Sequence, residues 1–391
     1  MRIHRTSPSP THDRHTGTAG RTSAPPVVLG IVFYILAALF PAVPAQATDS
    51  TRSASPYLPE ISSYIQLRYT DPNKDDDRWA IRRFKTMLDG GPKEGLHYHL
   101  QCIYKTNNNS ATDDQVFLQD AYLIYPVAGV FSFKAGQFIP LFGLERFQPD
   151  WNLDFVDRTD VTSRLVVDGN LGDSFARDQG LETDWSHEGW DLSAGLFHGS
   201  GANNGFHKNG PLGVGRISYG RSGSLDDRDW SFKTGLGQSI RHDNDLNLSG
   251  ELPGLNKKIT GHFTGGDQRF NGFAQANWGP LRAQGEYFHV RLSSSGTADD
   301  ITAVGAYGQV AYLPVHQVIL SLRREWFNPD THGDFPSTRL WTAGVTYDFK
   351  QLPLRLATDC TWPDAGTPGS PYVWRIQVQY LFLNKFKLSN I

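Results

Sequence analysis

The chain has 391 residues, with 37 Lys and Arg against 40 Asp and Glu, and its mean hydropathy is −0.42. These averages are typical of a soluble protein, and they exclude a polytopic helical membrane protein, which needs repeated apolar runs of about 20 residues. The near-neutral charge provides no basic surface for nucleic acid, and two cysteines exclude a disulfide scaffold. A membrane β-barrel remains compatible, because only every second residue of its strands faces lipid.

The N-terminal residues differ from the rest of the chain. Four arginines precede an uncharged stretch at 24–46, whose apolar part is 27–40, and residues 45–47 read Ala-Gln-Ala. This pattern predicts a cleaved secretory signal peptide at 1–47. A single membrane anchor is the alternative, but the apolar part is short for a span of about 20 residues. We therefore expect an exported protein with a short N-terminal lead at 48–59.

Period-two alternation dominates the remaining chain and predicts β-strands. In residues 374–380, apolar side chains from Trp374 to Tyr380 occupy every second position, and Arg375 and Gln377 lie between them. Aromatic residues stand at both ends of such strands, which is the pattern of the two aromatic girdles of a membrane barrel. We predict sixteen strands, at residues 60–70, 79–89, 95–105, 115–125, 129–138, 174–185, 189–199, 212–222, 229–239, 268–278, 280–292, 301–313, 315–327, 338–350, 353–362 and 372–382.

The connections between these strands alternate in length. Those after even-numbered strands are short, and those after odd-numbered strands are longer. Short periplasmic turns that alternate with long outer loops are typical of an outer-membrane barrel, and a soluble β-protein has no reason to sort its loops in this way. We predict one all-β transmembrane barrel of about 16 antiparallel strands at 60–382, with a C-terminal extension at 383–391. Residues 257–265 are assigned to a loop, with a strand as the alternative.

The longest connection, residues 139–173, follows strand five. A loop of this length without elements of its own is unusual and indicates function. We predict that it folds into the barrel and narrows the lumen; a surface loop or a subunit contact is the alternative. The prediction depends on six apolar side chains that suit an exposed loop poorly: Leu153, Phe155, Val156, Leu165, Val166 and Val167.

Two motifs flank the start of this connection. Residues 119–125 read Gln-Asp-Ala-Tyr-Leu-Ile-Tyr, and residues 136–146 read Gly-Gln-Phe-Ile-Pro-Leu-Phe-Gly-Leu-Glu-Arg. They resemble the phosphate-selective porin family, the outer-membrane porins O and P, in which a D-A-Y strand precedes a G-x-F-x-P-F-G-L-E segment. The resemblance extends over residues 60–382, with further similar blocks at 82–84, 154–158 and 195–199.

The resemblance implies a sixteen-stranded porin of the Gram-negative outer membrane, with an inwardly folded third loop and a basic pore that passes phosphate or related anions. Members are usually trimeric, so the implied partners are two further copies of the chain, outer-membrane lipid and lipopolysaccharide, and small anions. The resemblance implies no nucleic-acid partner. It also implies no cofactor and no enzymatic activity.

Selecting anions requires fixed positive charge that faces water in a narrow passage, and the planar fork of arginine suits phosphate. Strand alternation assigns ten basic and nine acidic residues to the lumen, and the long loop is net acidic. This balance leaves a weakly selective general porin as the alternative to a phosphate channel. The candidate pore and anion-binding residues are Arg83, Lys85, Lys134, Arg146, Arg158, Arg164, Arg323 and Arg375.

Other chemistry finds little support. His97 and His99 share a strand face but lack a third metal ligand, and Cys102 and Cys360 lie on strands too far apart for a disulfide. No Ser-His-Asp grouping suggests a catalytic site. A structural or adhesive barrel that is plugged by its long loop is the remaining alternative to a channel. One loop has the carboxylate spacing with which a calcium-binding loop begins, at Asp71, Asn73, Asp75 and Asp77. The glycine and the closing Glu of a calcium-binding loop are absent, so a solvated loop is the simpler interpretation.

Overall fold

The computed structural model describes residues 57–71, 78–92, 94–108, 113–167, 175–204, 209–248, 262–296, 299–332, 337–364 and 372–387. The predicted signal peptide at 1–47 and most of the lead at 48–59 lie outside the described residues, as do Asn73, Asp75 and Asp77 of the calcium-like spacing. None of the helices in these ranges is long and apolar enough to cross a membrane.

Sixteen strands within the described residues form one closed antiparallel barrel, which confirms the predicted fold class. Each strand pairs with the next in the chain, and the last pairs with the first. The strands are β1 (Glu60–Asp71), β2 (Arg78–Gly90), β3 (His97–Thr106), β4 (Val116–Val127), β5 (Phe131–Phe138), β6 (Asp178–His187), β7 (Trp190–Phe197), β8 (Leu212–Leu225), β9 (Arg228–Asn247), β10 (His262–Trp278), β11 (Leu281–Ser294), β12 (Ile301–Val315), β13 (Val318–Asn328), β14 (Thr338–Asp348), β15 (Leu354–Pro363) and β16 (Val373–Lys387).

The two faces of the barrel wall differ in polarity. Large apolar side chains point outward, and Leu181 and Leu196 are 65% and 63% exposed. Polar side chains such as Gln66, Asn271 and Thr342 point inward and are fully buried. An apolar exterior around a polar interior is the arrangement that a lipid bilayer imposes on a barrel.

Aromatic residues cluster near both ends of the strands. At the end with the long connections, the Tyr69 ring lies 5.2 Å from that of Trp79 and 6.4 Å from that of Trp374, between centroids. At the end with the short turns, Trp190 lies 4.8 Å from Tyr219. Amphipathic rings at two levels are typical of the two membrane surfaces.

Strands β9 and β10 are longer than the sequence predicted. They were expected at 229–239 and 268–278, but they extend to Asn247 and back to His262, so residues 262–265 belong to a strand. Arg241 and Asp243 in the added part of β9 point inward and form an ion pair with each other, and Arg241 also pairs with Asp267 of β10, which in turn pairs with Arg269.

The last strand also extends beyond its predicted end at residue 382. It continues to Lys387, which lies opposite Glu60 of β1, and Phe386 lies opposite Ile61. Residues 383–387 therefore complete the closure of the barrel, because the first strand offers backbone partners over this length. Residues 388–391 lie outside the described part of the chain.

The connection between β5 and β6, residues 139–177, is described at 139–167 and 175–177 and is called the β5–β6 segment below. Five of its apolar residues belong to a buried hydrophobic cluster that also contains inward-facing residues of β7 to β13. Small wall residues leave room for it: a Cβ at Gly305 would lie 2.6 Å from Val161 Cγ1. The members that the segment contributes are Phe142, Val161, Leu165, Val166 and Phe175.

Gly136 lies in β5, inside the motif that resembles the porins, and has a φ of +132°. A Cβ there would lie 2.3 Å from the Ala121 carbonyl oxygen and 2.7 Å from Tyr122 Cα, both in β4. We expect Gly136→Ala to destabilise the β4–β5 pair by about 1–3 kcal/mol or more, because the clashing atoms belong to the backbone and cannot move aside without disturbing the sheet. The measurement is the fraction of protein that keeps the compact mobility of a folded barrel on unheated gels.

Gly308→Ala is the matched control, because a Cβ at Gly308 would meet no atom within 4 Å. It should leave the folded fraction unchanged. Equal folded fractions for the two variants would contradict the steric role of Gly136.

Candidate functional site

Arginines of the barrel wall bind the backbone of the β5–β6 segment. They project from β1, β13 and β15, and each donates to a carbonyl oxygen of the segment. Such bonds fix the course of the main chain without depending on its side chains. The pairs are Arg68 Nη2 to Val156 (2.9 Å), Arg323 Nη1 to Asp157 (3.0 Å) and Arg355 Nη1 to Trp151 (2.7 Å).

Wall carboxylates accept hydrogen bonds from the same backbone. Glu286 of β11 accepts from the backbone N–H groups of Leu144 and Glu145, both at 2.7 Å, and from the Tyr307 hydroxyl at 2.7 Å. Similar bonds run from the Val156 N–H to Asp359 (2.9 Å) and from the Val161 N–H to Glu325 (3.3 Å). Strands β1, β11, β13 and β15 thus all contact the segment.

The carboxylates of the segment are paired with cations. Asp157 lies 2.6 Å from Arg68 and 3.4 Å from Arg82, and Asp154 lies 3.3 Å from Arg282. Burial alone would raise the pKa of Asp157, but the charges of Arg68 and Arg82 hold this pKa well below its usual range. The net acidity of the segment is therefore largely neutralised. Asp168 and Asp173 lie outside the described residues.

Arg146 differs from these paired cations. It is 5% exposed, and it donates from Nη2 to the Ala176 carbonyl oxygen at 2.6 Å. Within the described residues no carboxylate forms an ion pair with Arg146, and its buried Nε has no hydrogen-bond partner there. Burial and the neighbouring charges of Arg177 and Arg158 lower the pKa of Arg146 well below the ordinary range of arginine. Among the described residues, Asp150 and Asp120 are the carboxylates whose charges act on Arg146, and neither forms an ion pair with it.

Two basic cavities meet at Arg146. One has a volume of about 440 Å³, is lined by seven Lys and Arg side chains, and has Asp150 as the one carboxylate among its described lining residues. The other, of about 310 Å³, contains Lys134 and His99. The residues that line both cavities are Lys85, Arg146, Asp150, Arg158 and Arg177.

A β-bulge brings two consecutive arginines into the larger cavity. The register between β1 and β2 shifts at Gln66, opposite which Arg82 is the additional residue. As a result Arg82 and Arg83 both line the cavity, although strict alternation would turn one of them toward lipid. Alternation therefore missed Arg82.

Two further lining residues are absent from the eight candidates that were selected from the sequence. Lys105 continues the inward-facing alternation of Gln101 in β3, and that signal was present in the sequence. Arg177 lies just before β6, but inside the strand predicted at 174–185, whose alternation turned it away from the lumen; its Nε is 3.4 Å from Asp120.

The eight residues predicted from the sequence fall into two groups. Those that line one or both basic cavities are Arg83, Lys85, Lys134, Arg146 and Arg158. The other three are absent from the described lining of both cavities and form ion pairs elsewhere: Arg164 with Asp160 (2.6 Å), Arg323 with Glu325 (2.9 Å) and Arg375 with Asp359 (2.8 Å). Arg323 also stacks on the Phe155 ring, 4.5 Å from its centroid, so that it supports the segment.

A third cavity, of about 810 Å³, has a different character. It lies toward the short turns of β8 to β12, and Gln148 is common to it and the 310 Å³ cavity. Amide and hydroxyl side chains dominate its lining, and its charged residues in the described chain are Asp154, Asp229 and Arg282. Of the three cavities, the two that meet at Arg146 thus carry the excess of positive charge.

Within the described residues, the remaining sequence features form no further site. His99 Nδ1 lies 2.6 Å from Asp89, and its ring stacks on Tyr122. Cys102 and Cys360 are free thiols. Across the described ranges, no group of three or more His, Cys, Asp and Glu residues is arranged to hold a metal ion.

Comparisons with known proteins agree with this architecture. The sequence model of the phosphate-selective porin O and P family matches residues 62–320. No curated protein gives a significant sequence match.

Similar solved structures are outer-membrane proteins. The trimer form of OmpT from Vibrio cholerae is 12% identical with a TM-score of 0.56, over 83% of this chain and 99% of that one. The anion-selective porin from Comamonas acidovorans is 11% identical with a TM-score of 0.55, over 83% and 98%. OprB from Pseudomonas putida is 10% identical with a TM-score of 0.55, over 83% and 94%. At these identities the likeness establishes the fold alone.

Proposed function

This chain belongs to the phosphate-selective porin O and P family, and from that membership we propose that it conducts small anions, phosphate among them, passively through the outer membrane. The family and the closed barrel indicate an outer-membrane channel of a Gram-negative bacterium. The selectivity for anions is our inference from the site.

The observation that carries the proposal is the charge of the 440 Å³ cavity. Seven cations and one carboxylate line it in the described chain, and Arg146 among them has no ion-pair partner there. Fixed charge in a narrow, low-dielectric passage attracts ions of the opposite sign and repels the others. A cavity of this composition favours anions.

The β5–β6 segment narrows the path of the solute, so that solutes pass close to these cations. In our proposal it lies in the lumen, packs its apolar side against β7 to β13, and leaves the solute path beside the basic wall. Wall hydrogen bonds to its backbone hold it as a fixed constriction. An anion on this path passes within reach of Arg146, Arg158 and Lys85, which line both basic cavities.

Phosphate suits the site better than chloride does. Several donors converge on the cavity, and a guanidinium binds two oxygen atoms of one phosphate in a planar, bidentate fashion. Chloride offers one spherical acceptor, so it gains less from the same donors. We therefore expect chloride to pass and phosphate to bind.

A weakly selective general porin is the second candidate. The 810 Å³ cavity favours it, because amide and hydroxyl side chains dominate its described lining and its charged members, Asp154, Asp229 and Arg282, give no excess of cations. A channel governed by that cavity would discriminate little between small solutes.

We further propose that the mature protein lacks residues 1–47 and assembles as a homotrimer in contact with outer-membrane lipid and lipopolysaccharide. The trimer form of the similar OmpT structure supports the assembly. The apolar outward faces of the strands support the contact with lipid.

The test is a titration of inorganic phosphate against the chloride current of the purified channel in planar bilayers. The phosphate proposal predicts a saturable block at millimolar phosphate, because bound phosphate occupies the path of chloride. Chloride current that is insensitive to millimolar phosphate would favour the general porin.

A further inference from the structure

Asp150 places a carboxylate at the junction of the two basic cavities. Its Oδ2 accepts a hydrogen bond from Lys85 Nζ at 2.6 Å and lies 3.4 Å from Arg83 Nε, and its Oδ1 contacts Arg158 Nη1. The side chain is 9% exposed. Three cations thus converge on the two oxygens of one side chain.

These contacts are the ones that a free oxyanion would receive. Lysine and arginine bind phosphate through short, charge-assisted hydrogen bonds to its oxygens. Burial alone would raise the pKa of Asp150, but the charges of Arg83, Lys85 and Arg158 hold this pKa well below its usual range. Asp150 is therefore an anion that occupies the position of a ligand.

The turn that carries Asp150 is fixed by contacts that do not involve its carboxylate. The Asp150 carbonyl oxygen accepts from Gln66 Nε2 at 3.3 Å, and the Trp151 carbonyl oxygen accepts from Arg355 at 2.7 Å. The Trp151 ring packs edge-on against Tyr64, with 5.6 Å between centroids. Neutralising the carboxylate should therefore leave the turn in place.

We propose that Asp150 is a tethered counter-ion that competes with permeating anions for Arg83, Lys85 and Arg158. The inference rests on the proposed anion-channel function. An incoming anion meets Arg146, which has no ion-pair partner in the described chain, and then shares the three cations with Asp150. Conduction needs binding that is strong enough to admit an ion and weak enough to release it. The competition shortens the time for which each anion stays bound.

The test compares Asp150→Asn with Asp154→Asn in planar bilayers. Both variants remove one negative charge from the same segment, but Asp154 pairs with Arg282 at 3.3 Å and lines the 810 Å³ cavity. Inorganic phosphate is titrated against the chloride current. In Asp150→Asn we expect the half-blocking phosphate concentration to fall about tenfold, with longer blocked intervals, and in Asp154→Asn we expect a shift below about twofold.

The outcomes separate this inference from the function on which it rests. Equal shifts in the two Asn variants, or no shift in Asp150→Asn, would overturn the counter-ion role. Asp150→Glu keeps the charge and should keep the wild-type half-blocking concentration; a shift as large as that of the Asn variant would also overturn it. An unmodified channel that prefers cations would instead refute the proposed function. Compact mobility on unheated gels establishes that each variant has folded.

Discussion

Replacing Arg146 with Gln is expected to weaken phosphate binding in the channel by about 10- to 100-fold, since hydrogen bonds to charged groups contribute about 1.5–3 kcal/mol. The effect should exceed that of the other candidates, because Arg146 lines both basic cavities and has no ion pair within the described residues. The half-blocking phosphate concentration and the reversal potential in a salt gradient measure the change.

Arg164→Gln is the matched control for this prediction. Arg164 lies in the same segment, pairs with Asp160 at 2.6 Å, and is absent from the described lining of both basic cavities. The same chemical change there should leave phosphate block within about twofold of wild type, as expected of a partly exposed ion pair away from both cavities. An Arg164→Gln effect as large as that of Arg146→Gln would show that only the net charge of the segment matters.

Glu286→Gln is expected to release the start of the β5–β6 segment. The substitution keeps the volume of the side chain but replaces one acceptor oxygen with a donor nitrogen. One of the two backbone N–H groups that Glu286 binds, those of Leu144 and Glu145, then faces a donor. A buried donor without an acceptor costs about 1–3 kcal/mol. We expect a higher single-channel conductance and more open-channel noise, because a displaced segment narrows the lumen less.

Tyr307→Phe controls for the general loss of a contact at Glu286. It removes the hydroxyl that donates to Glu286 at 2.7 Å but leaves both backbone N–H groups with their acceptor. Conductance should stay at the wild-type level. If Glu286→Gln channels also keep wild-type conductance and noise, the segment does not form the constriction that we propose.

The number and order of the strands were predictable from the sequence, and so was the family. Alternation identifies a strand whenever one face is apolar, and the alternation of loop lengths identifies the two ends of the barrel. The apolar alternation failed where the lumen is charged. Arg241 and Asp243 end the apolar pattern of β9, yet they continue the strand because their partners Asp267 and Arg269 lie in the lumen as well.

The distribution of charge could not be predicted by counting residues. The count of ten inward cations against nine inward acids suggested a balanced lumen. In the structure, acids such as Glu286 and Asp359 bind the backbone of the segment, and Asp157 is paired with Arg68. Only the three-dimensional contacts reveal that Arg146 remains without such a partner in the described chain. The bulge that turns Arg82 inward is equally invisible to alternation.

The reversal potential of the unmodified channel in a potassium chloride gradient tests the central claim most directly. Because cations dominate the lining of the 440 Å³ cavity, we predict a reversal potential with the sign expected of a chloride-selective channel. The anion preference should be larger at low ionic strength, where screening is weak. A reversal potential of the sign set by potassium would contradict the proposed anion selectivity.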